Sequence, residues 1–160
     1  MNRRLLVLAP AFALLAACAS QPDATPASVA ETIARDPQLS TLNGLVVQAG
    51  MADALKAGGP YTVFAPTNEA FKAVPAKTMD ELAHNPAMLK GVLGYHVLPA
   101  KLMAHDIKPG SAKTAQGANL ALSRAGEFVT VEEAMVQAPD IVATNGVVHK
   151  VDRVLMPPKN

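Results

Sequence analysis

The stretch ATNGVVHKVDRVLMP, residues 143–157, decides how the chain folds. Near its start stands Asn145-Gly146, the strongest turn signal in the sequence. A tight hairpin of the type I′ kind needs positive φ at both central residues, and this pair tolerates that conformation. The segments on either side, DIVA before the pair and VVHKVDRVL after it, are β-prone. The stretch therefore predicts an antiparallel hairpin whose second strand carries His149.

The sequence upstream of this hairpin changes character at Gly94. After Gly94, the short segments YHVL (95–98), NLAL (119–122) and FVTV (128–131) alternate with Gly, Pro and Asn, as antiparallel strands do. Before Gly94, one β-prone run (61–65) stands among helical patterns. Because helices come first and strands second, the sequence predicts an α+β fold rather than a parallel sheet with alternating helices.

Capping residues mark where the helices of the N-terminal half begin. Ser28 followed by Glu31 has the form of a capping box, and Thr67 and Asn68 are both good caps for a short helix that carries Phe71 inward. Further signals are a second capping box at Thr78 and Glu81, a cap with proline at Asn85-Pro86, and helical spacing of apolar residues over 39–49 before Gly50. The helical layer is thus predicted to come mainly from the N-terminal half.

Residues 1–17 have the form of a secretory signal peptide, with a basic start, a short apolar run and small residues. The run LAAC, residues 15–18, resembles a bacterial lipobox, in which Cys18 becomes the acylated first residue. The triplet Ala17-Cys18-Ala19 also fits an ordinary A-x-A cleavage site. We favour lipidation, because Cys18 is the only cysteine and an unpaired thiol is a liability in an oxidising compartment. The expected organisation is a signal peptide (1–17), a lipidated N-terminus and tether (18–28), and one domain (29–158).

The charge of the chain gives no reason to expect nucleic acid as a partner. Removal of residues 1–17 takes away two arginines and no acidic residue, so the formal charge changes from +1 to −1. The remaining Lys and Arg residues are scattered, whereas a surface that reads phosphates needs them clustered. We therefore expect no nucleic-acid partner, and contact with a membrane only through the lipid on Cys18.

The histidines are the first candidates for chemistry, because imidazole is the usual acid, base or metal ligand near neutral pH. If YHVL is a strand, His96 shares a face with Leu98 while Tyr95 shares the other face with Val97. His149 has valines on its own face. Both are therefore interpreted as structural histidines with fixed hydrogen-bond partners. His84 and His105 lie in polar segments and are expected to be solvated.

Other motifs that carry chemistry are missing from the sequence. No H-x-x-x-H, H-x-H or cysteine pair indicates a metal, and no G-x-S-x-G indicates a nucleophile. The segment PGSAKTAQG lacks the Gly-Lys-Ser/Thr end of a phosphate loop. Glu132 and Glu133 would point to opposite faces of a strand and are expected at a solvated edge. The sequence thus predicts no catalytic residue, no metal and no cofactor.

Five methionines allow two interpretations. They are Met79, Met88, Met103, Met135 and Met156. Flexible thioethers fill gaps in a core, and they also line adaptable apolar grooves. We favour core filling, because the chain has no Trp to build its core. A ligand groove remains the alternative.

Three segments together resemble the fasciclin domain. GPYTVFAPTNEAF (59–71), YHVLPAKL (95–102) and ATNGVVHKVDRVLMP (143–157) resemble its first signature box, its Tyr-His motif and its second signature box, in that order. The resemblance covers residues 29–158 and departs at Lys150, where the family more often has an apolar residue; we expect an exposed strand position there. The motif residues are Thr67, Asn68, Tyr95, His96, Asn145, Gly146 and His149. The resemblance implies that they have structural or interaction roles.

The resemblance also implies a fold and two kinds of function. The fold is a wedge of antiparallel β-strands with a helical layer and no catalytic centre. Most of the family serves in adhesion, so the first hypothesis is a non-enzymatic module, tethered to a bacterial envelope, that binds an envelope or matrix protein or polysaccharide. Outer-membrane anchoring is expected, and the soluble periplasm if Cys18 is not acylated. The alternative is a periplasmic carrier of an apolar small molecule, such as a lipid or carotenoid.

A contact patch follows from the first hypothesis. Tyr95 and the loop from Pro99 to His105 are the candidates, because Tyr offers a large amphipathic contact area and binding residues concentrate on loops carried by a rigid scaffold. The alternative, which we slightly favour, is that the Tyr95 side chain packs inside the domain.

Overall fold

The computed structural model describes residues 26–158, and six α-helices and seven strands lie within them. The helices are α1 (Val29–Arg35), α2 (Ser40–Gln48), α3 (Ala52–Ala57), α4 (Asn68–Lys72), α5 (Ala76–His84) and α6 (Pro86–Tyr95). Short 3-10 helices cover Pro37–Leu39 and Ala104–Asp106. All six α-helices precede residue 96, so the prediction of a helical layer from the N-terminal half is confirmed.

Most of the predicted caps are present. Ser28 and Glu31 form the capping box at α1, and this pairing with Ser28 lowers the pKa of the Glu31 carboxyl. Asn85 caps α6 by accepting a hydrogen bond from the Met88 amide. The second capping box at Thr78 and Glu81 is wrong, because α5 already begins at Ala76, after Pro75. Thr78 therefore lies inside the helix.

The seven strands form one sheet. They are β1 (Tyr61–Pro66), β2 (Val97–Leu98), β3 (Gly110–Lys113), β4 (Asn119–Ala125), β5 (Phe128–Val131), β6 (Ala134–Ala143) and β7 (Gly146–Val151). Their order is β2-β1-β7-β6-β5-β4-β3, and every neighbouring pair is antiparallel except β1 and β7. The α+β prediction is confirmed, while the parallel pair is a feature that the sequence pattern does not indicate.

The β6–β7 hairpin is present, but its turn lies one residue earlier than predicted. Ala143 pairs with Gly146, so the turn residues are Thr144 and Asn145, and neither has positive φ. Gly146 is required for a different reason. A Cβ added to it would overlap the carbonyl oxygen of Tyr61, its partner in the parallel pair. The glycine therefore serves the close approach of β7 to β1.

The YHVL segment is not a four-residue strand. Helix α6 continues through Gly91 and Gly94 to Tyr95, His96 is its C-cap, and only Val97 and Leu98 form β2. Glycine weakens a helix interior, but Gly94 is buried where a Cβ would lie 3.4 Å from Gln116. The helix thus extends one residue past Gly94, where the sequence changes character, and Gly94 itself packs closely against Gln116.

The core consists of two clusters that β1 joins. The first packs the helices against one side of the sheet and includes Ile33, Leu42, Leu89 and Val148. The second lies under the later strands and includes Phe64, Tyr95, Leu120 and Leu155. Among residues 26–158, no helix has the length and apolar character that crossing a membrane requires.

Candidate functional site

His96 is buried between α6 and the residues that follow β7 (152–158), called the C-terminal segment below. Only 2% of its surface is exposed. Its Nδ1 lies 2.7 Å from the Val92 carbonyl oxygen, and its Nε2 accepts a hydrogen bond from the Leu155 amide at 2.9 Å. The imidazole is therefore neutral, with its proton on Nδ1. Burial lowers the pKa of His96 to about 4, against the opposing effect of the Val92 carbonyl. Both ring nitrogens are occupied, which leaves no free nitrogen for a metal or a substrate.

His149 is buried on β7 and carries the opposite tautomer. Its Nδ1 accepts a hydrogen bond from the Asp140 amide at 3.0 Å, so the proton lies on Nε2, which donates to the Leu102 carbonyl at 2.8 Å. The ring stacks on Phe64, with ring centroids 5.6 Å apart. Burial also lowers the pKa of His149. This imidazole, too, has no free nitrogen.

The loop from Pro99 to His105, called the 99–105 loop below, is held by four side chains. Buried Thr62 donates to the Ala100 carbonyl at 2.5 Å and accepts from the Leu102 amide at 2.8 Å. His149 binds the Leu102 carbonyl. The other two contacts join Asp140 to the Ala104 amide at 2.7 Å and Arg124 to the His105 carbonyl at 2.7 Å. The loop is thus a surface segment with a fixed backbone.

Asp140, which holds the Ala104 amide, has an unusual backbone conformation. Its φ is 59°, which is uncommon for a residue other than glycine, Asn and Asp being the usual exceptions. In this conformation its amide reaches His149 while its carboxylate reaches Ala104. One residue therefore joins β6, β7 and the 99–105 loop.

Tyr95 does not belong to a contact patch. Its side chain is buried, with 3% exposed, and its hydroxyl contacts the Glu132 carboxylate at 3.1 Å and the Asn119 carbonyl at 3.2 Å. Burial and the Glu132 carboxylate raise the pKa of Tyr95 to about 12. Of the two alternatives for Tyr95, the buried one is therefore confirmed, because helix α6 turns its side chain into the core.

Thr67 and Asn68 fasten α4 to the rest of the helical layer. Thr67 caps α4 by accepting a hydrogen bond from the Ala70 amide at 3.4 Å. Asn68 accepts from the Thr41 amide at 3.0 Å and donates to the Pro37 carbonyl at 3.0 Å. These contacts fix the start of α2 and the 3-10 helix before it.

Asn145 joins three elements at the other end of the helical layer. Its side-chain amide donates to the carbonyls of Leu55 and Gly58, each at 2.7 Å, and its oxygen accepts from the Val29 amide at 2.8 Å. The turn residue therefore acts as a clamp on the ends of α1 and α3.

Lys150 is mostly buried by its contacts with Asp36 and Gln38 and does not occupy an exposed position. Its ammonium forms an ion pair with Asp36 and a hydrogen bond with Gln38 at 3.1 Å, and 14% of its side chain is exposed. The expected exposed position is wrong, because the segment between α1 and α2 covers this part of β7.

The remaining chemical candidates lie apart. His84 and His105 are exposed, and among residues 26–158 no three His, Cys, Asp or Glu side chains lie close enough together to hold a metal ion. Glu132 and Glu133 occupy the turn between β5 and β6, not a strand, and Glu132 also accepts from the Ala121 amide at 2.7 Å. Cys18 lies outside the described residues.

The methionines bear out core filling only in part. Met79 and Met88 are half-buried and pack against the first core cluster, Met103 is half-buried, and Met135 and Met156 are 45% and 40% exposed. Met88 and Met156 also face a groove of about 630 Å³ between the α5–α6 helices and the C-terminal segment. The groove also has Thr78, Glu81, Val92 and Pro157 in its walls.

Sequence reasoning missed three residues that build these sites. Thr62 and Asp140 anchor the 99–105 loop, and Glu132 binds Tyr95. A polar Thr within the otherwise apolar run 61–65 is the one local signal for Thr62. The positive φ values of Asp140 and Glu132 leave no clear mark in the sequence, since Asp also suits ordinary turns and Glu has no preference for positive φ.

Comparisons with known proteins agree on one family. The family model described as the fasciclin domain matches residues 37–157. The chain is similar to protein sll1483 of Synechocystis sp., with 39% identity over 82% of this chain and 74% of that protein. It is also similar to the immunogenic protein MPB70 of Mycobacterium bovis, with 37% identity over 81% of this chain and 69% of that protein.

Two further comparisons involve longer proteins. The transforming growth factor-beta-induced protein ig-h3 of Sus scrofa is 40% identical over 83% of this chain, which spans only 20% of that protein. The solved structure of a FAS1 domain pair from the insect cell adhesion molecule fasciclin I superposes with a TM-score of 0.66 and 16% identity. The match covers 82% of this chain and 51% of that one, and it shows a shared fold.

Proposed function

Because this chain belongs to the fasciclin domain family, we propose that it is a non-enzymatic binding module, tethered to a bacterial envelope, that serves cell adhesion by binding a protein or polysaccharide of the envelope or the extracellular matrix. The observation that carries the proposal is the 99–105 loop. Its backbone is fixed by Thr62, His149, Asp140 and Arg124, while Lys101 and His105 are exposed. A rigid scaffold that presents a fixed loop suits binding, because little ordering entropy is lost on contact.

The family supports adhesion as the kind of binding. Fasciclin I, whose domain pair shares this fold, is a cell adhesion molecule of insects. Low identity and partial coverage restrict that comparison to the fold, so adhesion by this chain is a proposal.

Lipid anchoring through Cys18 is the second part of the proposal. More than one acyl chain is needed for stable membrane attachment. The wild-type protein should therefore sediment with outer membranes and incorporate labelled palmitate, whereas the Cys18→Ser protein should do neither. Wild-type protein recovered soluble from the periplasm, without lipid and with Ser20 as its N-terminus, would instead indicate the ordinary A-x-A cleavage.

Attachment of whole cells tests adhesion. We compare a deletion strain, the strain restored with the wild type, and the strain restored with Cys18→Ser protein exported by a standard cleavable signal. If the protein is an adhesin, surface attachment should be lost in the deletion strain and recovered with the wild type. It should recover poorly with the Cys18→Ser protein, since an untethered protein cannot link the cell to a surface. Full recovery by the untethered protein would contradict the proposal.

The loop itself is tested by a charge reversal. Lys101→Glu changes an exposed loop residue and should reduce attachment while the melting temperature stays the same. Lys77→Glu makes the same change on exposed α5 and should leave attachment intact. Equal effects of the two substitutions would move the contact surface away from the 99–105 loop.

A second candidate function is carriage of an apolar small molecule, favoured by the groove of about 630 Å³ beside Met88 and Met156. Its volume falls in the usual range for small-molecule sites, about 300–1,000 Å³. Native protein extracted without detergent should then carry such a molecule, detectable by mass spectrometry. An adhesion module should come out empty.

A further inference from the structure

We propose that the groove beside α5 and α6 binds a single-chain amphiphile whose polar end is a hydroxyl or an amine and not a carboxylate. The inference rests on the second candidate function and deepens it, because it assigns a site and a chemical class of ligand.

The walls of the groove suit an alkyl chain. Met88 and Val92 contribute from α6, and Met156 and Pro157 contribute from the opposite side. Val92 is 3% exposed and so forms part of the floor, whereas Met156 is 40% exposed and lies at the rim. Thioether side chains adapt to ligands of varying shape, because they are unbranched and polarizable.

The far wall of the groove is held in place by a single imidazole. We call residues 155–158 the C-terminal strap. His96 binds the Val92 carbonyl on the helix side and the Leu155 amide at the start of the strap. The Leu155 side chain is also buried, with 3% exposed. Because both walls are attached to His96, we expect the groove to keep its width without a ligand, so that binding does not require the strap to be ordered first.

Charge decides the polar end of the ligand. Among the described residues that line the groove, Glu81 is the one that carries a charge, and the Thr78 hydroxyl lies three residues before it on α5. Residues three apart on a helix share a face. A hydroxyl or an ammonium group can donate to these oxygens, whereas a carboxylate would meet the negative charge of Glu81.

The experiment uses three probes with one chain length: decanol, decylamine and decanoate. The protein is the Cys18→Ser chain exported and processed through a standard cleavable signal, so that it carries neither an acyl chain nor the apolar run of residues 1–17. Methyl NMR at neutral pH and low salt follows Met88 and Met156. We expect both methyl signals to shift with decanol and decylamine, and decanoate to bind about threefold to fivefold more weakly than decylamine.

Two variants locate the effect. Glu81→Gln should remove the difference between decylamine and decanoate and leave decanol unchanged, while Glu127→Gln, on the exposed β4–β5 turn, should keep the difference. Met88→Trp should fill the groove and abolish binding, while Met135→Trp, at an exposed strand position, should not. If Met88→Trp does not fold, Met156→Glu tests the same groove from its exposed rim.

The outcomes separate the site from the function. Binding that survives both Met88→Trp and Met156→Glu would overturn the groove as the site and leave carriage by another surface. Tighter binding of decanoate than of decylamine would overturn the ligand class. No binding of any of the three probes would overturn the groove as an amphiphile site, whereas the candidate carrier function fails only if native protein also carries no apolar molecule by mass spectrometry.

Discussion

His96 and His149 occupy equally buried positions on either side of β1, yet they hold different parts of the chain in different ways. His96 donates from Nδ1 and accepts at Nε2, and both partners belong to α6 and the C-terminal strap. His149 accepts at Nδ1, donates from Nε2, stacks on Phe64 and holds the 99–105 loop. Burial keeps both histidines neutral, and in a neutral imidazole either nitrogen can carry the proton. Histidine can therefore hold two different segments with opposite directions of donation and acceptance.

The largest expected effect comes from Gly146→Ala, which sharpens the comparison because it acts on the strand of His149. The new Cβ would overlap the Tyr61 carbonyl, and the same parallel pair sets Phe64 opposite His149. We expect a loss of about 3 kcal/mol or more in the free energy of unfolding, measured by urea denaturation. Gly44→Ala is the matched control. It meets no atom within 4 Å on α2 and should stabilise the protein by about 0.5–1 kcal/mol.

Removing each imidazole tests the comparison directly. His149→Ala leaves the Asp140 amide and the Leu102 carbonyl without these partners and removes the stack on Phe64, so it should cost about 3 kcal/mol. His96→Ala should cost about 2 kcal/mol, because the Val92 carbonyl keeps a backbone hydrogen bond and only the Leu155 amide is stranded. Thermal and urea unfolding measure both values. A larger loss for His96→Ala would reverse the order, and no loss would show that His96 has no structural role.

A fall in pH should lower the free energy of unfolding through both histidines. In the folded protein the pKa of each histidine is below its unfolded value near 6.5, so the neutral form is favoured. The corresponding stability is present above pH 6.5 and is lost as the pH falls toward the folded pKa, about 4 for His96. A shift of this size corresponds to a loss on the order of 3 kcal/mol for His96. Urea unfolding across this range should show a smaller pH dependence in His96→Gln, whose side chain does not titrate; an equal slope in the variant would assign the effect to other groups.

The smallest effect is spectroscopic and leaves the fold unchanged. Long-range ¹H–¹⁵N correlation near neutral pH should show the proton on Nδ1 of His96 and on Nε2 of His149, as their partners require. Cα assignments and a His84→Gln sample remove ambiguity between buried and exposed rings. The same tautomer at both sites would contradict the hydrogen-bond directions described above.

Local signals in the sequence were sufficient for several elements of the fold. The Ser28 capping box and the Asn85 cap depend on residues within one helical turn, and both are present. The β6–β7 hairpin follows from two β-prone segments around a short turn. These features could be predicted because the interacting groups are neighbours along the chain.

The candidate sites were predictable only in part. The motif positions of His96 and His149 indicated buried rings, but their partners lie 59 and 47 residues away along the chain, at Leu155 and Leu102. The pattern of YHVL predicts a strand for Tyr95, but Tyr95 is the last residue of α6. The helix extends past Gly94, which packs against Gln116. Lys150 was misplaced because Asp36 reaches it from a segment more than 100 residues earlier.

What the sequence by itself determined is the class of fold, the helical first half, the hairpin and the family motifs, because capping, turn formation and β-propensity act over a few residues. What only the tertiary structure decided is how those pieces close on one another. The parallel pairing of β1 with β7 makes Gly146 a point of close approach instead of a turn centre. The tautomer of each histidine, the anchoring of the 99–105 loop and the width of the groove depend on groups brought together from distant positions, where the cost of leaving a buried donor or acceptor unpaired selects one arrangement.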